Sequence, residues 1–209
     1  TASRNTAIGS SAGEDLTIGN WNTYLGDSAG VDNSDGICNT FLGQGAGAAS
    51  EHADFNTFVG YQAGWDNNRT NATNNANYNT YLGSYAGYTN RIGEYNVGIG
   101  YKADFNDNDD GVDFTTFVGA EADVKGDGAV AIGYQVDVNN NADYSIGVGF
   151  SADINAADYS IALGYLASIT GNGHRSILIG EDGDISENDA IGSVTKVSIT
   201  ADSTIAIGS

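Results

Sequence analysis

The feature that most constrains the fold of this chain is a short motif that recurs from one end to the other. It is a run of strand-forming residues that closes on an aliphatic residue and a glycine, as in NTYLG at 22–26 and NTFLG at 39–43. Thirteen copies follow one another, and their glycines lie 12 to 23 residues apart, most often 17 or 16. A unit of this length with one apolar strand cannot bury its own face, whereas stacked units bury it together. The sequence therefore predicts an all-β fold, a parallel β-solenoid or β-roll of about 12 coils that forms a single repeat domain over residues 1–209.

The residue types in each register position indicate which face of the strand points inward. With the glycine of each motif as position 0, position −1 is always aliphatic, and position −3 changes from Thr to Val or Ile along the chain. Because side chains alternate along a strand, these two positions share one face. We assign that face to the core, and we assign the alanine that recurs at position +3 to a second, small inward position.

Position −2 lies on the opposite face and is predicted to point outward. In stacked coils its residues would form one continuous apolar stripe, and exposed apolar patches of this kind usually mark an interface. A closed homo-oligomer would bury the stripe symmetrically, whereas the alternative is a long loop that folds over it. The interface residues predicted at this position are Tyr24, Phe41, Phe58, Tyr81, Phe117 and Leu178.

Several copies resemble a known repeat. SIALGYLAS at 160–168, AVAIGYQVD at 129–137 and NTFVGYQAG at 56–64 are similar to the YadA-like head repeats of trimeric autotransporter adhesins, and similar repeats occur in phage tail-fibre and surface-fibre proteins. The resemblance implies a left-handed parallel β-roll that assembles as a homotrimer and adheres to a host or matrix ligand. The spacing of 17 in the first copies is longer than is usual in that family.

The charge of the chain argues against two classes of partner. Asp and Glu total 27 against 7 Lys and Arg, which gives a net charge of −20 at pH 7. Proteins that bind nucleic acid or anionic membrane surfaces do so with cationic side chains, so we expect neither partner. The sequence also lacks an apolar run long enough to span a bilayer, and we expect no direct membrane insertion.

One stretch imitates a catalytic motif. Gly26–Gly30 reads GDSAG, the pattern of a nucleophile elbow in which Ser28 would be the nucleophile. The equivalent position holds Ser, Gly, Gln, Tyr, Lys and Glu in other copies, which is typical of an outward turn position. We therefore predict that the protein is not an enzyme and assign it no catalytic or cofactor-binding residue.

A column of acidic residues is the best candidate for a metal site. Position +4 is Gly in the first five copies and then becomes Asp in most of the later ones. One interpretation is a turn residue with positive φ, which Asp tolerates. The other is calcium, whose bridging between coils would relieve the repulsion of carboxylates that recur in every coil. The candidate ligands are Asp104, Asp123, Asp137, Asp153 and Asp184.

These observations predict an extracellular or cell-surface fibre with a structural and adhesive role. Recognition would use repeated loops and outward tyrosines such as Tyr61, Tyr101, Tyr134 and Tyr165. Neither end of the repeat array carries an obvious polar cap, so a head-to-tail filament is the first alternative. The second is an ice-binding solenoid, indicated by the Thr column at position −3; this assignment makes the column single and inward-facing, which disfavours ice binding.

Overall fold

The structure, a computed structural model, describes residues 1–68, 75–105, 111–139, 142–171 and 174–180, with the backbone alone described at 184–185 and 205–207. Within these residues every regular element is a β-strand. The strands pair in parallel, so the predicted fold class, an all-β parallel β-solenoid, is confirmed. The chain divides into two compact units, Thr1–Phe114 and Thr115–Ser209.

The first unit contains one short strand per coil. Each strand pairs with the next in register, so that Thr6 lies beside Thr23 and Thr23 beside Thr40. The turns are also stacked, since the amide of Ser28 donates to the carbonyl of Ser10 one coil away at 2.7 Å. The strands are β1 (Thr6–Ile8), β2 (Thr23–Leu25), β3 (Thr40–Leu42), β4 (Thr57–Val59), β5 (Thr80–Leu82) and β6 (Val97–Ile99).

The second unit adds a second strand to each coil and forms two parallel sheets. The strands that continue the glycine motif are β7 (Thr116–Val118), β9 (Val130–Tyr134), β11 (Ile146–Phe150), β13 (Ile161–Leu163), β15 (Ile177–Ile179) and β17 (Ile205–Ile207). The added strands are β8 (Asp123–Val124), β10 (Asp137–Val138), β12 (Asp153–Asn155), β14 (Ser168–Thr170) and β16 (Asp184–Ile185). The first set pairs in the order β7-β9-β11-β13-β15-β17, and the second set forms the second sheet in the order β16-β14-β12-β10-β8.

The two faces of the strands are the reverse of those predicted. Position −2 points into the solenoid, and the prediction that it forms an outward interface is wrong. Its rings stack on one another inside the first unit, with centroids 4.9 Å apart for Phe41 and Phe58 and 5.0 Å apart for Phe58 and Tyr81. The physical reason is area, because an aromatic ring buries more apolar surface than the Thr and aliphatic side chains on the other face. The residues concerned, all completely or almost completely buried, are Tyr24, Phe41, Phe58, Tyr81, Phe117 and Leu178.

The switch from Gly to Asp at position +4 is explained by volume inside the coil. In the first unit a Cβ on Gly47 would overlap the ring of Phe41, and one on Gly64 would overlap the ring of Phe58. In the middle coils of the second unit position −2 is small, for example Ala131 or Ala162, and buried residues of the second sheet occupy the interior instead. These residues stand one place after the Asp column; the described members are Val124, Val138, Ile154 and Ile169. Phe117 is an exception, since it keeps a large ring in a coil that has Asp123 at position +4. The alanines at position +3 are buried as predicted, among them Ala29, Ala46, Ala63, Ala86, Ala103, Ala122, Ala152 and Ala167.

A buried polar column runs beside the inner rings at position −4. In the first unit it consists of asparagines, and from the second asparagine onward each backbone amide donates to the side-chain oxygen of the asparagine in the coil before. The amide of Asn39 donates to Oδ1 of Asn22 at 2.8 Å, and the amide of Asn56 donates to Oδ1 of Asn39 at 2.9 Å. Nδ2 of Asn39 donates to the carbonyl of Ala53 at 2.8 Å. Each asparagine therefore joins its own coil to both neighbours. The column comprises Asn5, Asn22, Asn39, Asn56, Asn79 and Asn96.

Serine occupies this column in the later coils of the second unit, after Thr115 and Ala129. Oγ of Ser145 accepts from the amide of Ser160 at 3.0 Å and donates to the carbonyl of Ala157 at 2.8 Å. Oγ of Ser160 accepts from the amide of Ser176 at 3.2 Å. One hydroxyl thus replaces the amide group of the asparagine, because it can also donate and accept.

The glycine at position 0 is required by the close approach of neighbouring coils. Gly26 has φ of +140°, and a Cβ there would overlap the carbonyl oxygen of Gly43. The same contact recurs between Gly43 and Gly60. The invariance of this position along the chain is therefore a consequence of stacking rather than of a catalytic turn.

We predict that removing one asparagine of the column destabilises the first unit. Asn39→Ala deletes an acceptor and a donor inside the solenoid and leaves the amide of Asn56 and the carbonyl of Ala53 without them. The expected loss in the free energy of unfolding is roughly 2–4 kcal/mol, measured by urea denaturation. The control is Glu14→Ala at an exposed position, which we expect to stay within about 0.5 kcal/mol of the parent chain. Equal stability of the two variants would refute the role of the column.

Candidate functional site

The side chains at positions −3 and −1 of the glycine-motif strands point away from the interior of the coils. We call the surface that they form the outer face. Leu25 is 46% exposed, Leu82 is 47% exposed and Ile132 is 40% exposed, although all were predicted to lie in the core. Thr23 and Thr57 at position −3 are exposed as well. Each unit thus presents parallel rows of aliphatic and β-branched side chains, which repeat at the strand spacing of about 4.8 Å.

A column of exposed aromatic residues at position −5 runs alongside the outer face. We call it the aromatic column. The rings of Phe55 and Tyr78 are 5.0 Å apart and nearly parallel at 2°, and those of Tyr78 and Tyr95 are 4.8 Å apart at 3°. Their backbones are left-handed, with φ of 59° at Tyr78 and 60° at Tyr95. Such a conformation is uncommon for bulky residues, and no local sequence rule predicts an aromatic side chain there. The members are Trp21, Phe55, Tyr78, Tyr95 and Phe114 in the first unit, and Tyr144 and Tyr159 in the second.

A second exposed aromatic row follows the strands at position +1. In the second unit the ring centroids of Tyr134 and Phe150 are 5.1 Å apart, and those of Phe150 and Tyr165 are 5.3 Å apart. Tyr61 and Tyr101 occupy the same position in the first unit and are exposed. The prediction that Tyr61, Tyr101, Tyr134 and Tyr165 point outward is confirmed.

Acidic side chains next to the aromatic column have a structural role that sequence reasoning missed. Oδ1 of Asp54 accepts from the amide of Ile37 at 2.7 Å, and Oδ1 of Asp113 accepts from the amide of Glu94 at 2.7 Å. In the second unit Oδ1 of Asp158 accepts from the amide of Asp143 at 3.0 Å. The signal was present as an Asp, Asn or Glu that recurs at position −6. Part of the negative charge of the chain therefore serves to connect coils.

The predicted metal column is only partly assembled by the fold. Asp137 lies beside Asp123 and Asp153 in register on parallel strands, so the column exists in the second unit. Ser168 separates Asp153 from Asp184 in the same ladder, and the side chain of Asp184 lies outside the described residues. Among the residues that the structure describes, no group of three His, Cys, Asp or Glu side chains is arranged to hold a metal ion. Calcium binding stays a prediction.

The alternative interpretation of this column, a turn with positive φ, is wrong. Asp123, Asp137 and Asp153 begin strands of the second sheet, and the left-handed conformation belongs instead to position +2, for example Gln62, with φ of 52°, and Gln135, also with φ of 52°. The difference follows from the second strand, which requires extended backbone where the first unit has a glycine turn.

Two of these carboxyl groups are perturbed by their surroundings. Desolvation raises the pKa of Asp137, and within the described part of the chain its Oδ1 has no hydrogen-bond partner. Desolvation also raises the pKa of Asp104 to about 7, with a smaller contribution from the nearby charge of Asp66. Oδ1 of Asp104 accepts from the amide of Thr89 at 3.1 Å and from its hydroxyl at 3.2 Å.

The apparent nucleophile elbow is a stacked turn. Ser28 has φ of 54°, is followed by turn residues, and its hydroxyl donates to Oδ2 of Asp27 at 3.4 Å. His52, one of the two histidines in the sequence, lies with Nδ1 2.6 Å from Oδ1 of Asp35. Because turn residues follow Ser28, the helix that a nucleophile elbow requires after its serine does not occur there.

The chain was compared with known proteins, and no protein-family model, curated protein or solved structure matches it. A search of the described residues for a long apolar helix of the kind that crosses a bilayer found none.

We predict that Asp104 makes the stability of the protein depend on pH. Because its folded pKa of about 7 exceeds the usual value, the folded chain binds the proton more tightly than the unfolded chain. The free energy of unfolding should therefore fall as the pH rises from about 4 to about 7. Asp104→Asn, which keeps an acceptor for Thr89, should reduce this fall, as measured by thermal unfolding across that range.

The matched control for this measurement is Asp15→Asn, at an exposed position of the same unit. We expect it to keep the pH dependence of the parent chain. An unchanged pH dependence in Asp104→Asn would contradict the assignment.

Proposed function

We propose that this protein is a non-catalytic structural and adhesive β-solenoid of an extracellular or cell-surface fibre. The single observation that carries the proposal is the outer face, on which rows of aliphatic and β-branched side chains are left exposed in each unit. Apolar surface arranged in this way is a mark of an interface. A role in contact with other surfaces accounts for it better than a role in chemistry on a small substrate.

Self-association is the first use proposed for the outer face. A second copy of the chain has the same side chains at the same spacing, so it can match the face row by row, which a surface without this repeat cannot. Closed symmetry would bury the face on every subunit. The interface would then consist of residues such as Ile8, Leu25 and Leu82, in place of the inner rings. A homotrimer is favoured because the repeats resemble those of the trimeric adhesin heads.

Adhesion would use the surfaces that such an assembly leaves free. Turns and exposed aromatic side chains recur in successive coils, so a ligand with repeated groups could be bound at several coils at once. Multivalent binding of this kind gains affinity from effective concentration. A host or matrix surface is the class of partner that fits.

Ice binding is a second candidate, and the reversal of the two faces favours it. The sequence predicted a single inward column of threonines at position −3. Members of this column are instead exposed beside an exposed aliphatic row, among them Thr6, Thr23, Thr57 and Thr80. The outer face cannot be buried in a homo-oligomer and free to contact ice at the same time. The oligomeric state therefore separates the two functions. A head-to-tail filament is a third possibility, in which the ends of the solenoid rather than the outer face associate.

We predict that the protein is a discrete trimer by multi-angle light scattering and that a double substitution on the outer face dissociates it. Ile8→Lys with Leu25→Lys places two charges where apolar side chains meet a second copy. The expected product is a folded monomer with an unchanged far-UV circular dichroism spectrum. Glu14→Lys, at an exposed turn position off the outer face, is the matched control and should remain trimeric.

Three outcomes would contradict this proposal. A monomer that shows thermal hysteresis, lost in the double variant, would establish ice binding instead. Long fibres in electron micrographs would favour the filament. A trimer that survives the double substitution would place the interface elsewhere.

A further inference from the structure

The aromatic column of the first unit is interrupted at one coil. Position −5 runs in order through Arg4, Trp21, Cys38, Phe55 and Tyr78. All five residues share a left-handed backbone with φ between 58° and 60°. Cys38 therefore occupies a place that an aromatic ring holds in the neighbouring coils, and its side chain is too small to fill it. The thiol is free.

The coil spacing sets the thickness of the place that the missing ring would fill. Trp21 and Phe55 are two coils apart, which corresponds to about 10 Å at the usual strand spacing. Where the column is complete, consecutive rings are 4.8 to 5.1 Å apart. Trp21 and Phe55 are both described, both about half exposed, and form no ring contact with each other. The space between them therefore matches one additional flat group stacked on both rings.

The chain itself shows which chemistry the ring faces of this column accept. The guanidinium carbon of Arg4 lies 5.4 Å from the ring centroid of Trp21, and by register it is on the side away from Cys38. In the second unit the guanidinium of Arg175 lies 5.7 Å from the ring centroid of Tyr159 in the same column. A planar cation stacked on an aromatic face is attracted by the ring quadrupole.

The charge around the gap also favours a cation. The carboxylate of Asp54 accepts from the amide of Ile37, the residue before Cys38, so a negative group lies beside the gap. The net charge of −20 adds a field of the same sign. A cation would gain from both, whereas an anion of the same shape would be repelled.

We propose that the gap over Cys38 is a binding slot for one planar organic cation, such as an aromatic ammonium or a guanidinium group. The ring faces of Trp21 and Phe55 form its two walls, and the carboxylate of Asp54 lies at its side. The slot is separate from the outer face, and it requires no particular oligomeric state.

The probe is N-methylquinolinium, a flat aromatic cation, and its neutral counterpart is quinoline at pH 7.5. Isothermal titration calorimetry should show one saturable site per chain for the cation and weaker binding for quinoline. Cys38→Phe adds the missing ring and should abolish binding while leaving the melting temperature equal or higher. Cys38→Ala keeps the slot open and should bind like the parent chain.

A wall substitution tests the slot independently of Cys38. Trp21→Leu should weaken binding by roughly 3- to 30-fold, the range of an aromatic–cation contact. Binding by Cys38→Phe at parental affinity would overturn the proposal. Loss of binding in Cys38→Ala would also overturn it, because that result would indicate thiol chemistry. Two further results would overturn it as well: equal affinity for quinoline, and many weak sites that Cys38→Phe leaves unchanged.

Discussion

The structure depends on the fact that each coil must fill its interior with very few side chains. A strand of three residues directs only its middle residue inward. Because the coils are stacked closely, each coil must fill its interior with its own side chains. In β2 to β5 of the first unit the middle residue is a large ring, such as Phe41, which requires glycine opposite it at Gly47. In β9, β11 and β13 of the second unit the middle residue is small, such as Ala162, and a second strand supplies buried residues such as Ile154. The coil of Phe117 and Val124 combines the two solutions, since both side chains are completely buried.

Hydrogen bonds between coils set the spacing that this packing requires. The asparagine column gives each coil a donor and an acceptor at the same buried place, and the acidic residues at position −6 do the same nearer the surface. Buried amides need partners, and these side chains provide them where the backbone ladder ends. Part of the acidity of the chain therefore has a role in its internal structure.

The sequence determined the architecture well and the orientation of the strands poorly. The period of the glycine motif predicted parallel stacked coils, and the alanine at position +3 was placed inward correctly. The inward face was misassigned because both faces of these strands carry apolar residues, so alternation alone cannot distinguish them. The deciding signal was coupling between positions, since large rings such as Phe58 accompany glycines such as Gly64. The aromatic column was missed because a left-handed backbone is not where bulky residues are expected.

Orientation of the strands is the central claim, because it decides which residues form the core and which are available to partners. It is tested most directly by placing one charge on each of two adjacent residues, in Tyr81→Lys and Leu82→Lys, and measuring folding by circular dichroism and thermal unfolding. Tyr81 is completely buried and Leu82 is 47% exposed. We expect Tyr81→Lys to lose the folded signal of the first unit and Leu82→Lys to keep it, whatever its effect on assembly. A folded Tyr81→Lys variant together with an unfolded Leu82→Lys variant would contradict the account.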